Sequence, residues 1–287
     1  MSNFILVAES GCDLSPALAE RYGVYLVPMH VTLGGTTLDD GTFPVQKICE
    51  YYERTGSLPQ TSGCSPQDFK TVFDALHHKY PEKHILHLAY SAVTTCSYQS
   101  ALLAADGAAY ITSIDTKQVS AGQAAIVLKT AALLEQNPDW SPQQAKNAIL
   151  ALCDRARMCF LPDKLEYLRA GGRVSNVACL GGRLLSLHPC IEILEGRLMA
   201  KKKYRGRLEN IVPTLIREYS EREHLDKACI GFLFSLGLPA AVRELAEEEA
   251  SRCGFRAFSW VQTGCVITTH GGPGCFGITG FAGPEDK

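Results

Sequence analysis

The first half of this chain repeats one unit: a short apolar run, a polar loop, then a helix-forming segment. Phe4-Ile-Leu-Val-Ala8 leads into Ser10-Gly-Cys-Asp-Leu-Ser-Pro16, rich in turn and cap residues, and Ala17 to Gly23 follows as a helix. The unit returns at His84 to Ala89 with a helix after Ser97, and at Ala109 to Ile114 with a helix after Ser120. Ser65-Pro66 opens another helix through Tyr80, as N-cap and first helical residue. Strands that read as continuous apolar runs are buried on both faces, so the pattern predicts an α/β unit: a mostly parallel sheet with helices on both faces.

Between these units, Tyr25 to Leu33 reads as one strand ending at the Gly34-Gly35 turn, followed by an acidic Asp39-Asp40-Gly41 turn. Val45, Ile48, Cys49 and Tyr52 recur at helical spacing and predict a helix over 45–55. Asn137 to Pro142 interrupts the pattern before a helix begins near Gln143. Beyond Cys153 the rhythm changes. Met158 to Pro162 reads as a strand, Lys164 to Ala170 as a short helix, and Cys190 to Ala200 as two strands turning at Glu195-Gly196. Helices over 207–219 and 240–253 alternate with strands over 228–234 and 255–261. This predicts two domains, an α/β unit at 1–152 and an α+β unit at 153–287 with a largely antiparallel sheet. A length of 287 residues is ample for two cores.

Composition removes several classes of function. Hydrophobic residues at 46% and charged residues at 20% exclude a largely disordered chain. With 28 Lys+Arg against 30 Asp+Glu, the formal charge of -2 gives no electrostatic drive toward nucleic acid. No apolar stretch approaches the roughly 20 residues that span a bilayer, so stable membrane insertion is not expected. The run Phe4 to Ala8 stops at Glu9 without a basic leader, which points to a cytoplasmic protein. Twelve cysteines include no C-x-x-C pair and read as reduced, mostly buried thiols with no metal site.

The familiar nucleotide and hydrolase signatures are missing: there is no G-x-x-x-x-G-K-[ST], no G-x-S-x-G and no H-E-x-x-H. Gly272-Pro-Gly-Cys-Phe-Gly277 spells G-x-G-x-x-G, but the ten residues after it leave no room for the crossover and acidic ribose partner of a dinucleotide site. The polar groups gather instead in a few loops. In Thr61-Ser-Gly-Cys-Ser65-Pro66, Ser65 is explained as a cap, while Thr61 is left free to point into a cleft. In Thr94-Thr95-Cys96-Ser97, hydroxyls and unpaired N–H groups meet at a helix start, where an anion is favoured. Asp115-Thr116 with Ser120 has the same strand-to-helix placement. The glycines of Gly171-Gly172-Arg173, echoed at Gly181-Gly182-Arg183, suit a helix C-cap, and the arginine after them is unexplained by that role. His270 sits beside Gly271-Gly272-Pro273-Gly274, where a backbone can approach something closely. Lys201 to Arg207 is the dense basic run, a solvated face or a contact for an acidic partner.

Taken in order, these pieces resemble the DegV family of fatty-acid-binding proteins over nearly the whole chain. The residues that carry the likeness are Val7-Ala-Glu-Ser-Gly-Cys-Asp13-Leu14, Thr61 to Pro66 with Phe69, Tyr98-Gln-Ser-Ala101, Asp115-Thr116 with Ser120 and Gly122, Tyr167 to Ser175, and His270 to Gly274. The resemblance implies a long-chain fatty acid, palmitate- or stearate-like, held between the two domains with no further cofactor. It implies that Thr61, Thr95, Arg173 and His270 meet the carboxylate, with Ser62, Cys96 and Ser97 in the neighbouring loops. Two departures stand out. The family's L-S-G-T segment reads Thr94-Thr95-Cys96-Ser97, so a hydroxyl survives at 95 while Cys96 replaces glycine, and the family's early aspartate is Glu9.

The implied task is physically coherent. A tail of about 16 carbons gains on the order of 12 kcal/mol on burial before association costs, whereas an unpartnered buried carboxylate costs several. Hydroxyl donors and a cation at one end of an apolar channel answer both demands. The resemblance further implies that the chain is a carrier and not an enzyme, presenting its acid to a separate fatty acid kinase for acyl phosphate formation, with Arg205 as a contact for that partner. The alternative reading is an acyl- or phosphoryl-processing enzyme with His270 as general base.

Overall fold

The structure is a computed structural model that describes residues 3–174 and 187–283. From the N-terminus the elements are β1 (Phe4–Glu9), α1 (Pro16–Arg21), β2 (Val24–Val27), β3 (His30–Leu33), β4 (Thr36–Asp39), α2 (Gln46–Thr55), β5 (Gln60–Ser62) and α3 (Pro66–Lys79). Then come β6 (His84–Ala89), α4 (Ser97–Ala105), β7 (Ile111–Asp115), α5 (Ser120–Gln136) and α6 (Pro142–Arg155). The remainder is β8 (Ala156–Leu161), α7 (Leu165–Gly171), β9 (Leu187–Leu194), β10 (Arg197–Arg205), α8 (Leu208–Arg222), β11 (Ile230–Phe234), α9 (Ala240–Arg252), β12 (Phe258–Gln262), α10 (Cys265–Gly271) and β13 (Phe276–Phe281).

The expected mixed architecture is present. Strands β2-β1-β6-β7 form a sheet in which every pair is parallel. Strands β10-β9-β8-β13-β11-β12 form a second sheet, antiparallel except for β11 with β12. Three helices start as their Ser-Pro pairs dictate: Ser15, Ser65 and Ser141 each cap a helix whose first residue is proline, and Asp68 and Gln144 complete capping boxes at the latter two.

Several elements differ from the sequence expectation, among them β4 and α10, which it left unassigned. The run 25–33 is two strands in two sheets: β2 ends at Val27, Pro28 has no N–H to continue a ladder, and β3 joins a small antiparallel sheet, β4-β3-β5. Strand β5 lies in what reads as a loop; it pairs Thr61 with Val31 and so fixes which way Thr61 faces. Strand β13, which the sequence reading left unassigned, runs down the middle of the second sheet between β8 and β11. Gly277 and Gly280 disguise it, yet a Cβ at Gly277 would stand only 2.8 Å from the carbonyl oxygen of Cys159. The Ser175 and Gly181-Gly182-Arg183 readings lie outside the described residues.

The core follows the two-residue period of the strands. On β1, Phe4 and Leu6 face a cluster with Leu86, Leu88 and Ile126, while Ile5 and Val7 face the opposite way. That second cluster draws from both halves of the chain, joining Phe69 and Phe73 to Met158, Phe160, Leu198 and Leu233. A third cluster around Phe232, Phe276 and Val212 belongs to the second half. Each such side chain contributes about 1.5–3 kcal/mol on burial, so the shared cluster is a substantial bond between the halves. The site lies in that seam.

Candidate functional site

A cavity of about 400 Å³ opens in the shared cluster. Its walls are mostly apolar, built by Met29, Val119, Met158, Phe160, Leu198 and Leu233. Thr61, Ser62, Thr95, Cys96, Arg173 and His270 also line it, so six of the eight residues singled out in the sequence reach one wall. Ser97 stands behind them: its Oγ is 3.1 Å from Thr95 Oγ1 and accepts the Cys64 N–H at 3.1 Å. Arg205, exposed at the end of β10, is not part of the cavity wall.

His270 Nε2 lies 2.8 Å from Thr61 Oγ1, a bond between residues 209 positions apart. The other ring nitrogen, Nδ1, is buried without a partner among the described residues. We assign the ring proton to Nε2, which then donates to Thr61 and leaves the threonine hydroxyl free to donate into the cavity. Burial and the nearby Arg173 charge push the imidazole down to about 4, so the ring is neutral at pH 7. The approach is close because residue 171 is glycine: a Cβ there would sit 2.5 Å from His270 Nδ1. Gly63 plays the same part on the other loop, since a Cβ would overlap the Thr95 hydroxyl and come within 2.6 Å of Ser97 Oγ.

Ser97 accepts from Cys64, which lets its own hydroxyl donate to Thr95 and leaves the Thr95 hydrogen free as well. Two hydroxyl donors and the N-terminus of α4 therefore line the same cavity, and each favours a negatively charged guest. Arg173 adds a cation. Its Nη1 donates to the Gly171 carbonyl at 2.6 Å, and it makes no ion pair among the described residues. An anion would complete this wall.

The helix that carries His270 is held from the other half of the chain. Asp13 Oδ1 accepts from Gly264 N at 2.7 Å, and Asp40 Oδ1 accepts from Cys265 N at 2.9 Å and Val266 N at 3.3 Å. Ser10 Oγ donates to Asp40 at 2.9 Å, and Ser120 Oγ donates to Asp13. Asp13 and Ser120 both adopt left-handed backbone, at φ 60° and 45°, a strain that the surrounding contacts must maintain. Burial, and then the Asp40 charge, hold the Asp13 carboxyl well above its ordinary range; Asp40 is raised chiefly by burial. Glu9 is buried too. It accepts from Tyr90 N and Gln123 Nε2 at 2.8 Å each and pairs with His87 at 3.2 Å. Burial drives its carboxyl upward, but His87 and these donors outweigh that and hold it below the usual range.

A family model described as an uncharacterised protein of the DegV family matches residues 3–282. The chain belongs to the DegV family. A DegV domain-containing protein from Caldanaerobacter subterraneus subsp. tengcongensis is 28% identical, covering 97% of this chain and 98% of the relative. Among solved structures, a DegV family protein from Thermus thermophilus described for its fatty acid binding aligns with TM-score 0.87 and 29% identity, over 97% of this chain and 99% of that one. A stearic acid-binding protein from Eubacterium ventriosum aligns with TM-score 0.84 and 26% identity, over 98% of each.

Within this DegV chain, sequence reasoning missed the groups that position the polar side chains of the cavity wall. Asp40 reads as a turn residue, and its role depends on helix α10, 225 positions away. Gly63 and Gly171 carried a faint signal, as glycines beside hydroxyls and beside arginine, but which side chain each admits is a tertiary fact. Among the described residues no cluster of His, Cys, Asp and Glu could hold a metal, and no helix is long and apolar enough to cross a membrane. The eleven cysteines among them are free thiols.

Proposed function

We propose that this protein encloses one long-chain fatty acid, palmitate- or stearate-like, with its tail along the apolar walls and its carboxylate against Thr61, Thr95, Arg173 and His270. The observation that carries the reading is the bonded Thr61–His270 pair, set with Thr95 and an arginine that makes no ion pair among the described residues, in the wall of one mostly apolar cavity. Relatives described as binding fatty acid or stearic acid support it. The units 1–152 and 153–287 act as the two jaws, with α6 running across their junction.

The protein works as a cytoplasmic carrier without a cofactor of its own, handing the exposed acid group to a fatty acid kinase that docks near Arg205. The enzyme reading gains little here. A base that titrates near 4 is weak at pH 7, and among the described residues no carboxylate bonds the His270 ring.

Native mass spectrometry of the purified protein tests the carrier: a fatty-acid-sized adduct is expected, and delipidated protein that takes up no long-chain acid would end the proposal. With a fatty acid kinase and ATP, Arg205→Glu is expected to lower acyl phosphate output while the bound-lipid load stays constant; equal output from both forms removes Arg205 from the docking surface.

A further inference from the structure

Among the described residues, the wall of the cavity carries one buried side-chain hydroxyl that has no hydrogen-bond partner. Tyr90 lines the cavity and is 9% exposed. The other buried polar side chains of that wall are each bonded: Ser120 to Asp13, Thr263 to Thr268 at 2.8 Å, Ser235 to Cys275 N at 2.8 Å. Among the described residues the Tyr90 hydroxyl has no such partner, and it is not sealed within protein either, so its oxygen opens onto the cavity.

The phenol is fixed in place before any guest arrives. Glu9 holds the Tyr90 amide at 2.8 Å, and Gly11 lets the ring lie against the backbone, where a Cβ would stand 3.3 Å from its Cε2. Burial, with the Asp13 and Glu9 charges adding to it and the Arg173 charge opposing it, raises the phenol well above its ordinary range, so it remains a hydrogen-bond donor at any ordinary pH.

A plain hydrocarbon tail laid over this hydroxyl would strip its water and return no hydrogen bond, which is the costly half of the hydrogen-bond balance. A guest with an oxygen at that height would satisfy it. Sites built around a buried polar group discriminate strongly against analogues that lack the matching group.

We propose that Tyr90 is a specificity contact that donates to an oxygen on the ligand's hydrocarbon chain, so that the preferred guest is a hydroxy or oxo long-chain acid. The inference rests on the fatty-acid reading and narrows its substrate class.

Delipidated protein is titrated with stearic acid and with hydroxy- and oxo-stearic acids substituted at several chain positions, by displacement of a fluorescent fatty acid. At least one oxygenated acid is expected to bind about tenfold tighter than stearic acid, which corresponds to about 1.4 kcal/mol. Tyr90→Phe is expected to erase that gap by weakening the oxygenated acid and leaving stearic acid unchanged or tighter. The proposal is overturned if wild type binds stearic acid as tightly as every oxygenated acid, if Tyr90→Phe keeps the preference, or if it weakens all acids equally. Should Tyr90→Phe fail to fold, the wild-type panel alone decides. Failure to bind any acid sinks the carrier reading itself, whereas stearic acid bound without preference sinks only this refinement.

Discussion

At the scale of single residues, His270 shows how a side chain is tuned by what is withheld from it. Among the described residues the ring has one hydrogen-bond partner, Thr61, and its second nitrogen, an acceptor in this tautomer, faces Gly171 with no donor. An ordinary histidine titrates near 6.5, and this one is pushed down to about 4 by burial and Arg173. A fatty-acid carboxylate beside it would favour the imidazolium and move the midpoint up. Carbon-detected NMR titration of His270 is therefore expected to give a midpoint near 4 in delipidated protein and a higher one when loaded; identical midpoints would mean that the acid group lies elsewhere. The sign for stability follows from linkage. The unfolded chain binds this proton more readily, so the contribution of neutral His270 is present above about pH 6.5 and is lost as pH falls through that value toward the folded midpoint.

At the scale of elements, α10 is a short helix whose N-terminus is tied down by two buried carboxylates from distant turns. Asp40 satisfies two backbone donors, and its removal would leave them buried and unpaired. Asp40→Ala is expected to cost about 1–3 kcal/mol, measured by urea unfolding. Asp40→Asn keeps an acceptor and removes the charge that burial penalises, so it should cost less than alanine. Because the folded-state carboxyl is raised, its favourable contribution is complete below the unfolded value near 3.8 and declines as pH rises through the folded one. The asparagine variant should therefore gain on wild type as pH increases from acid toward neutral. A wild type that gains on asparagine over the same range would show that Asp40 is stabilised as the ion. The same scale explains the strands that the sequence reading misplaced. Residues 25–33 have uniform strand composition, and only Pro28 hints at the switch between sheets. Strand β13 hides its apolar pattern behind glycines that neighbouring strands require.

At the scale of the whole molecule, the cavity interrupts the hydrophobic cluster that joins the two halves. Empty, it forfeits contacts on every lining side chain; filled, it becomes part of a continuous core. Fatty acid at about a hundred times its dissociation constant should stabilise the fold by about 2.7 kcal/mol. At about 2–4 °C per kcal/mol, a rise in melting temperature of several degrees over delipidated protein is expected. A scan in which loaded and delipidated protein melt together would place the lipid outside this core.

Sequence alone determined what local chemistry can encode. The Ser-Pro caps set three helix starts, continuous apolar runs set the parallel strands, and the motif residues Thr61, Thr95, Arg173 and His270 could be named before any coordinates. The folded chain decided what depends on residues far apart in sequence: the bond across 209 positions from Thr61 to His270, the glycines that admit it, the carboxylates that hold α10, and a Tyr90 hydroxyl left without a partner among the described residues. The physical reason is range. A cap or an apolar run acts through neighbours within a few residues, whereas a cavity exists only as the space left when many distant side chains have packed.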